Sequence, residues 1–462
     1  MSASSKIKLR ANEADLFADV VPIESRLKPV TAITSFVPAK KVTSVCTFID
    51  LFSGMGGTRV GFELACAESN VAARCVFSSD IKAHAIAAYQ YNFGHAEKVH
   101  GDITAIPVDS LPNFDYLLAG FPCQPFSAAG KRKGFLDERG GLFFAILSIL
   151  RQKKPQGFLL ENVEGLATHD KGQTLQHILV ELEKLGYQVT WKILDAAEFG
   201  VPQQRRRIYI TGHLKNKIEL DNFATHRASV AQIVEHDAPV VQTKLTKLLA
   251  EKFKPEQMYG KAIKDKRGGG NNIHSWDLEL KGAVTEAQRE LLTLLLKQRR
   301  YKKWAAQKGI TWMDGMPLTL DEISTFFQHP ALKNLLDDLT DKGYLTFEHP
   351  RELVSKNGIT SREAALHVPK GYNIVAGKLS FPIAKILDPK GIAPTLVATE
   401  YGKIALSLEA GVRKLTVREG LRLSGYPESY KLDNLSYRDA FDLIGNTVMP
   451  PVIKAIAKRL IA

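Results

Sequence analysis

From Val45 onward, short apolar runs alternate with segments of helical periodicity, and this alternation restricts the fold more than any other feature of the chain. Strand, helix and strand in repeated succession build a parallel sheet covered by helices, the pattern of an α/β domain. The strand candidates are Val45–Phe52, Arg74–Ser79, Phe114–Ala119, Gly157–Leu160, Tyr187–Leu194 and Arg207–Thr211. Helix candidates lie between them at Thr58–Ala67, Ala83–Tyr91, Leu142–Gln152 and Thr174–Leu185. The expected fold class is α/β with a Rossmann-like sheet, whose ligands belong at the carboxyl ends of its strands.

The alternation ends near residue 213, so the chain is expected to divide into four stretches. Residues 1–44 form an unassigned N-terminal arm, 45–213 the α/β domain, 214–392 a second domain, and 393–462 a segment that returns to the first. In the second stretch, residues 244–267 hold eight Lys or Arg against three acids. They run into the loop Gly268-Gly269-Gly270-Asn271-Asn272. One long helix is expected from Thr285 to Gln307. Leu332, Leu335, Leu336 and Leu339 then recur at helical spacing, and Asp341-Lys342-Gly343 stops that helix before an extended run. Residues 316–348 thus have the order of a winged-helix-like insertion. A helix over Thr416–Leu423 and a last one from near Val452 close the chain.

Charge and cysteine content limit the function classes. The 462 residues carry 62 Lys plus Arg against 49 acids, a formal charge of +13. Such a balance favours a polyanionic partner. With 45% hydrophobic and 24% charged residues, a wholly disordered chain is excluded. No apolar run reaches membrane-spanning length, and the first residues lack a signal-peptide core. Cys46, Cys66, Cys75 and Cys123 form no CxxC pair, so no metal site and no disulfide framework is expected, and the location is expected to be cytoplasmic.

The residues suited to chemistry stand at strand ends. Phe48–Phe52 runs into Ser53-Gly54-Met55-Gly56-Gly57 and then a helix, a turn that lets backbone approach a ligand. The next strand ends at Asp80-Ile81, where a carboxylate can take ribose hydroxyls, and Asp102-Ile103 follows at the third. The loop lacks the GxGxxG spacing that cradles a pyrophosphate, which favours a nucleoside cofactor without phosphates. Strand Asp115–Ala119 presents Gly120-Phe121-Pro122-Cys123-Gln124-Pro125-Phe126-Ser127, a thiol at a sheet edge. The polar, cationic stretch Lys131-Arg132-Lys133, bracketed by glycines, reads as a lid able to grip phosphates. Leu160-Glu161-Asn162 places a carboxyl at the next strand end, and a thiol beside a carboxyl suits covalent catalysis with acid assistance. In Gln203-Gln204-Arg205-Arg206-Arg207, alternation points Arg205 and Arg207 to one face.

These motifs, in this order, closely resemble the DNA (cytosine-5) methyltransferases, above all the bacterial restriction–modification enzymes. The resemblance rests on DLFSGMGG, GDI, GFPCQPFS, RGGLFF, ENV, QQRRRI, APTL, LTVREGLRLSGYP and GNTVMPPV, over about residues 45–213 and 393–460. It implies the S-adenosylmethionine-dependent methyltransferase sheet, with 214–392 as a variable target-recognition domain. It implies that Cys123 attacks C6 of a flipped cytosine and that Glu161 holds a proton at N3. Arg207 would then contact the base carbonyl, and Arg205 would support Glu161. For S-adenosyl-L-methionine it implies Phe52, Gly54, Met55, Gly56, Gly57, Asp80, Ile81, Asp102, Ile103, Gly120, Pro122, Leu142, Asn446 and Thr447. Asp80 stands where the family more often has Glu, Ile81 where an aromatic is frequent, and Thr447 where Ser is commoner.

Double-stranded DNA is the implied partner. Gln124, Ser127, Lys131, Arg132, Lys133, Arg267, Asn271, Asn272 and Thr395 are the candidate contacts, and Arg267, Asn271 or Asn272 the candidate base readers. The basic stretch 244–267 and the cations of 297–303 would hold phosphates. A monomer paired functionally with a restriction endonuclease of the same specificity is expected. Two rivals are a transfer-RNA cytosine-5 methyltransferase of the same superfamily and a catalytically silent DNA-binding regulator. The large variable region speaks against the first, and the intact Cys123, Glu161 and Arg207 against the second.

Overall fold

Strand β1 (Ser44–Leu51) sends successive side chains to opposite faces, and both faces are dry: Phe48 and Ile49 are each fully buried. A strand buried on both faces belongs at the centre of a sheet. The computed structural model describes residues 44–462 except 97, 123–140, 241–242, 266–271, 313, 357–358 and 376–381. Helix α1 (Gly57–Glu68) leads to β2 (Val71–Ser79), and α2 (Ala83–Phe93) to β3 (Val99–His100). Then follow β4 (Tyr116–Gly120), α3 (Gly141–Lys153), β5 (Gly157–Val163), α4 (Gln173–Lys184), β6 (Gln188–Asp195) and β7 (Arg206–His213). Among the described residues these strands form one sheet in the order β3-β2-β1-β4-β5-β7-β6.

The sheet departs from the expected all-parallel form at one edge. β1, β2, β3, β4 and β5 run parallel, whereas β7 is antiparallel to both β5 and β6. The cause is connection length. Only residues 196–205 join β6 to β7, too few for a crossover, so the chain turns back.

The alternation divides the core in two. Ile49, Leu117, Leu160 and Ile210 face α3 and α4, packing on Phe143, Ile146, Ile178 and Leu182. Phe48, Leu118, Leu159 and Tyr209 face the other way, onto Phe62 of α1 and the end of the chain. Replacing Leu160 by Ala leaves a cavity in a fully buried position. It is expected to cost about 2–5 kcal/mol, read as a lower denaturant midpoint for the transition of this unit.

The chain divides into two compact units. The described part of the larger is 44–238, 388–402 and 415–462, and that of the smaller lies within 239–387 and 403–414. The smaller unit begins beyond residue 214 because Ile218 and Leu220 are buried in the core of the larger, and Val230 N–H donates to Gly391 O. In the smaller unit, α5 (Lys244–Lys252), β8 (Ala262–Ile263) and β9 (Asn272–Ile273) come first. The expected long helix is broken into α6 (Glu286–Gln298) and α7 (Lys303–Lys308). Arg299 turns inward at the break, where its guanidinium donates to Asn373 Oδ1 and Ile374 O. Then come α8 (Leu320–Ser324), α9 (Leu332–Asp341), β10 (Leu345–Glu348), β11 (Arg351–Lys356), β12 (Ile359–Ala364), β13 (Gly371–Ile374), β14 (Lys385–Ile386), β15 (Ile404–Leu408) and β16 (Gly411–Lys414). Strands β16-β15-β14-β8-β9 make one sheet around Leu249, Ile263 and Ile386, while α6–α9 bury a separate core.

The larger unit is completed by α10 (Val417–Leu423), α11 (Tyr437–Asn446) and α12 (Pro450–Leu460). Thr416 caps α10 by accepting from Glu419 N–H, while the Glu419 carboxylate accepts from Thr416 N–H. The last helix starts at Pro450, a residue suited to a first helical turn, rather than near Val452.

Candidate active site

The loop after β1 is held from both ends. Asp50, fully buried, accepts a 2.6 Å hydrogen bond from the Thr58 hydroxyl at the start of α1. Burial pushes its carboxyl up to about 7, with the Thr58 bond and Arg59 opposing. Gly54 N–H donates to Asp80 Oδ2 at 2.8 Å, and Lys82 N–H to Asp80 Oδ1 at 2.8 Å, so the end of β2 fixes the loop. Gly56 has φ 81°, and a side chain there would meet the Phe93 ring at 2.5 Å. Gly54 has open space where a Cβ would stand, so room for a ligand lies over this turn. Phe52 is half-buried with φ 52°, while Ile81 is 75% exposed. Met55 is buried, and its carbonyl accepts from the Tyr430 hydroxyl. At the third strand end, Asp102 Oδ1 accepts from the amide and hydroxyl of Thr104, capping a short turn that begins at Ile103. Leu142 lies in the first turn of α3, half-buried.

Glu161 stands near the carboxyl end of β5, in register with Gly120 of β4. A Cβ on Gly120 would lie 3.6 Å from the Glu161 carboxylate, so the strand end opens toward that acid. Arg207 Nε lies 3.3 Å from Glu161 Oε1. Burial raises the Glu161 pKa, while Arg207 and then Arg205 oppose it; the net direction is upward. The Asn162 amide donates to Phe121 O at 3.0 Å and so anchors the chain just before position 123.

Arg205 acts on Glu161 through its charge, and its hydrogen bonds go to backbone carbonyls. It is 2% exposed, and its guanidinium donates to Gly445 O at 3.1 Å, Leu396 O at 3.3 Å and Thr447 O at 2.8 Å. Burial and the neighbouring Arg207 lower its pKa to about 10, which leaves it charged at neutral pH. It straps the returning segment to the sheet. Arg205 and Arg207 do lie on one side, while Arg206 points outward to Glu164 at 3.0 Å.

The returning segment seals the glycine turn. A Cβ on Gly57 would lie 2.5 Å from Val448 O and 3.0 Å from Thr447 Oγ1. Thr447 is buried with its hydroxyl 2.6 Å from the Tyr426 hydroxyl, and the Asn446 amide donates to Asp442 O at 2.9 Å. Asp442 also receives Lys82 Nζ at 3.1 Å and His84 Nε2 at 2.9 Å, tying α11 to the residues just beyond Asp80. Thr395 is exposed, and its hydroxyl donates to Gln204 O at 2.7 Å.

Two residues here were not anticipated from sequence. Gln203, fully buried, donates to Leu423 O at 2.9 Å and accepts from Leu396 N–H at 3.3 Å. Asp442 is the other; nothing in its local sequence distinguishes it from a surface acid. Cys123, Gln124, Ser127, Lys131, Arg132, Lys133, Arg267 and Asn271 lie outside the described residues. Pro122, the last described residue before them, is exposed, and Asn272 begins β9 in the smaller unit. Of the other cysteines, Cys46 and Cys66 are buried, and a hydrogen bond with Cys66 together with burial pushes the Cys46 thiol far up. Among the described residues no helix is long and apolar enough to cross a membrane.

Removing the Arg205 strap leaves buried carbonyls without donors. Arg205→Met is expected to cost at least about 2 kcal/mol and to speed amide hydrogen exchange at residues 445–449, measured by mass spectrometry.

Known proteins share this arrangement along nearly the whole chain. The family profile for C-5 cytosine-specific DNA methylase matches residues 46–462. Type II methyltransferase M.NlaIV of Neisseria lactamica is 54% identical over 421 residues, covering 90% of this chain and 98% of its own. M.NgoBV of Neisseria gonorrhoeae is 53% identical with the same coverage. M.HgiCI of Herpetosiphon aurantiacus is 40% identical over 88% of this chain and 96% of its own.

Proposed function

The chain belongs to the C-5 cytosine-specific DNA methylases, and we propose that its residues at the carboxyl ends of β4 and β5 and the amino end of β7 carry that family's reaction. It is a DNA (cytosine-5) methyltransferase rather than a silent regulator or a transfer-RNA enzyme. The observation that carries the assignment of roles is Glu161, a buried carboxyl held beside Arg207 at the strand end next to the one that delivers Cys123.

C5 of cytosine is a weak nucleophile until the ring is loaded with electrons. The Cys123 thiolate forms a bond to C6 while Glu161 holds a proton at N3, so the ring accepts the pair without developing full negative charge. A free thiol near pKa 8.5 is mostly protonated at neutral pH, so attack requires loss of its proton. Arg207, beside Glu161, is placed to reach the base carbonyl. C5 then takes the methyl group; loss of the C5 proton restores the double bond and breaks the C6–S bond. The base must leave the duplex stack first, at a cost of a few kcal/mol.

S-adenosylmethionine supplies an electrophilic methyl group when bound, and the residues present fit it. The open space over Gly54 admits the methionine part. Each Asp80 oxygen already accepts one backbone N–H, which leaves each a lone pair for the ribose hydroxyls. Asp102 Oδ2 serves the adenine amine and Phe52 the adenine face. Gly56, Gly57, Ile103, Gly120, Pro122 and Leu142 wall the pocket, and Asn446 with Thr447 closes it. With its hydroxyl engaged by Tyr426, Thr447 acts by holding the wall.

The substrate is a specific duplex site, gripped through Gln124, Ser127 and Lys131–Lys133 and read by Arg267, Asn271 and Asn272 of the smaller unit and by Thr395 of the larger. The enzyme works as a monomer in the cytoplasm and protects host DNA from an endonuclease of the same specificity.

With labelled cofactor and duplex DNA, Cys123→Ser is expected to abolish methyl transfer while specific DNA binding persists; full activity would overturn the mechanism. Glu161→Gln is expected to lower kcat by about 10²–10⁴-fold. Because the Glu161 pKa is raised, its protonated form persists above the usual carboxylate range, and activity depending on that proton falls as pH rises through the shifted value. The alkaline limb of kcat against pH should be lost in Glu161→Gln. Asp442→Asn, which slackens the tie between α11 and residues 82–84, is expected to weaken S-adenosylhomocysteine binding several-fold in calorimetry.

A further inference from the structure

The core shared by α6–α9, β10 and β13 has a definite topology. Helix α6 is followed by Leu318, which exchanges two backbone hydrogen bonds with Tyr372 of β13, at 3.0 and 2.7 Å. Helices α8 and α9 come next, separated by the turn around His329-Pro330. Then β10 pairs antiparallel with β13, and the hairpin β11–β12 is inserted between them. With α7 as an extra turn after α6 and the Leu318 bridge in the place of a first strand, the order helix, bridge, helix, helix, strand, hairpin, strand is that of a winged helix. Leu291, Leu295, Leu318, Ile323, Leu336 and Ile374 bury its core.

In a helix-turn-helix module the second helix of the pair enters the major groove. Here that helix is α9, and its charge forbids the role. Asp337, Asp338 and Asp341 line it, and α8 adds Asp321 and Glu322. Its cations are spent on its own acids: Lys333 meets Asp337 at 2.5 Å and Lys342 meets Asp338 at 2.6 Å. The groove of about 530 Å³ beside α9 is lined by Lys333, Asp337, Thr340, Asp341, Phe347 and Tyr372, and its one cation is paired with Asp337. A phosphate brought there meets carboxylates.

The opposite charge gathers where α6 ends. Lys297, Lys302 and Lys303 have no carboxylate partner among the described residues. Lys302 Nζ lies 5.7 Å from the centroid of the Trp312 ring, which is 38% exposed, and Tyr301 is 42% exposed beside it. Arg300 anchors the patch with a two-pronged pair to Asp314 at 2.7 and 3.3 Å, and Trp312 Nε1 donates to Arg300 O. Unpaired ammonium groups beside exposed indole and phenol rings suit a nucleic acid, whose phosphates take the charge and whose sugars and bases take the rings.

We propose that this winged helix is an accessory DNA-backbone grip that works in reverse polarity, through the α6–α7 corner rather than through α9. The inference rests on duplex DNA being the substrate. It assigns to the corner a sequence-independent affinity separate from base reading and from the methyl-transfer residues.

The test uses the full chain and a duplex lacking any methylation site, with fluorescence anisotropy at several salt concentrations. K302E/K303E is expected to weaken binding about tenfold or more and to flatten the slope of log affinity against log salt by about two. K302Q/K303Q should flatten the slope similarly with a smaller loss of affinity, and K333E on α9 should leave both unchanged. Unchanged binding in K302E/K303E, or a loss in K333E as large as in that variant, overturns the proposal. Methyl transfer by the unaltered chain is measured in parallel. If the chain methylates DNA but binding ignores Lys302 and Lys303, the corner fails and the methyltransferase assignment stands. If it binds through the corner but transfers no methyl group, the outcome is reversed.

Discussion

A single buried guanidinium connects the two ends of this enzyme's chemistry. Arg205 lies just before β7, two residues from Arg207 and the Glu161 beside it, yet its donors reach carbonyls of residues 396, 445 and 447. Leu396 lies in the stretch 388–402, before the chain re-enters the smaller unit at 403–414, and residues 445 and 447 lie after it. Burying a charge is costly, and three carbonyl acceptors are what makes the site tolerable for it. The glycine turn then depends on that docking, because Gly57 lies against Val448 and Thr447 with no room for a side chain. The glycine turn and the returning segment thus depend on one another.

Charge balance around Glu161 follows from the same packing. Alone in a buried strand end, a carboxyl is driven strongly toward its neutral form. Two arginines on one face temper that drive, and only one of them is within direct reach. Arg205 is held by its carbonyl partners, and burial still leaves the Glu161 pKa raised, which the proposed proton-holding role requires.

Much of this was legible in the sequence, for physical reasons. The strands β1, β4 and β5 and helices α1–α4 announce themselves because double burial and amphipathic periods leave strong apolar patterns. The order of the motifs marked Glu161, Asp80 and the glycine turn. The antiparallel edge was not legible, since the direction of β7 is set by a short link and not by its own residues. Nor was the break after Gln298: α6 and α7 share one helical pattern, and at the break Arg299 turns inward while Trp304 Nε1 donates to Gln298 O and Met316 N–H to Arg299 O. Gln203, Asp442 and the strap function of Arg205 depend on partners some 190 to 360 positions away in the chain. Such partners leave no local signal. The cations of 297–303 stood out in the sequence, but not the contrast with the acidic α9, whose lysines pair with its own aspartates.

The central claim is that Cys123 forms a bond to the target base with Glu161 in assistance. It is tested most directly by placing 5-fluorocytosine at the methylated position of a duplex and incubating it with enzyme and cofactor. Fluorine cannot leave as the C5 proton does, so a complex that survives denaturation should accumulate, carry one methyl group, and map to Cys123 by peptide mass spectrometry. A duplex methylated normally at that position that yields no trapped complex, or an adduct on another residue, would contradict the account.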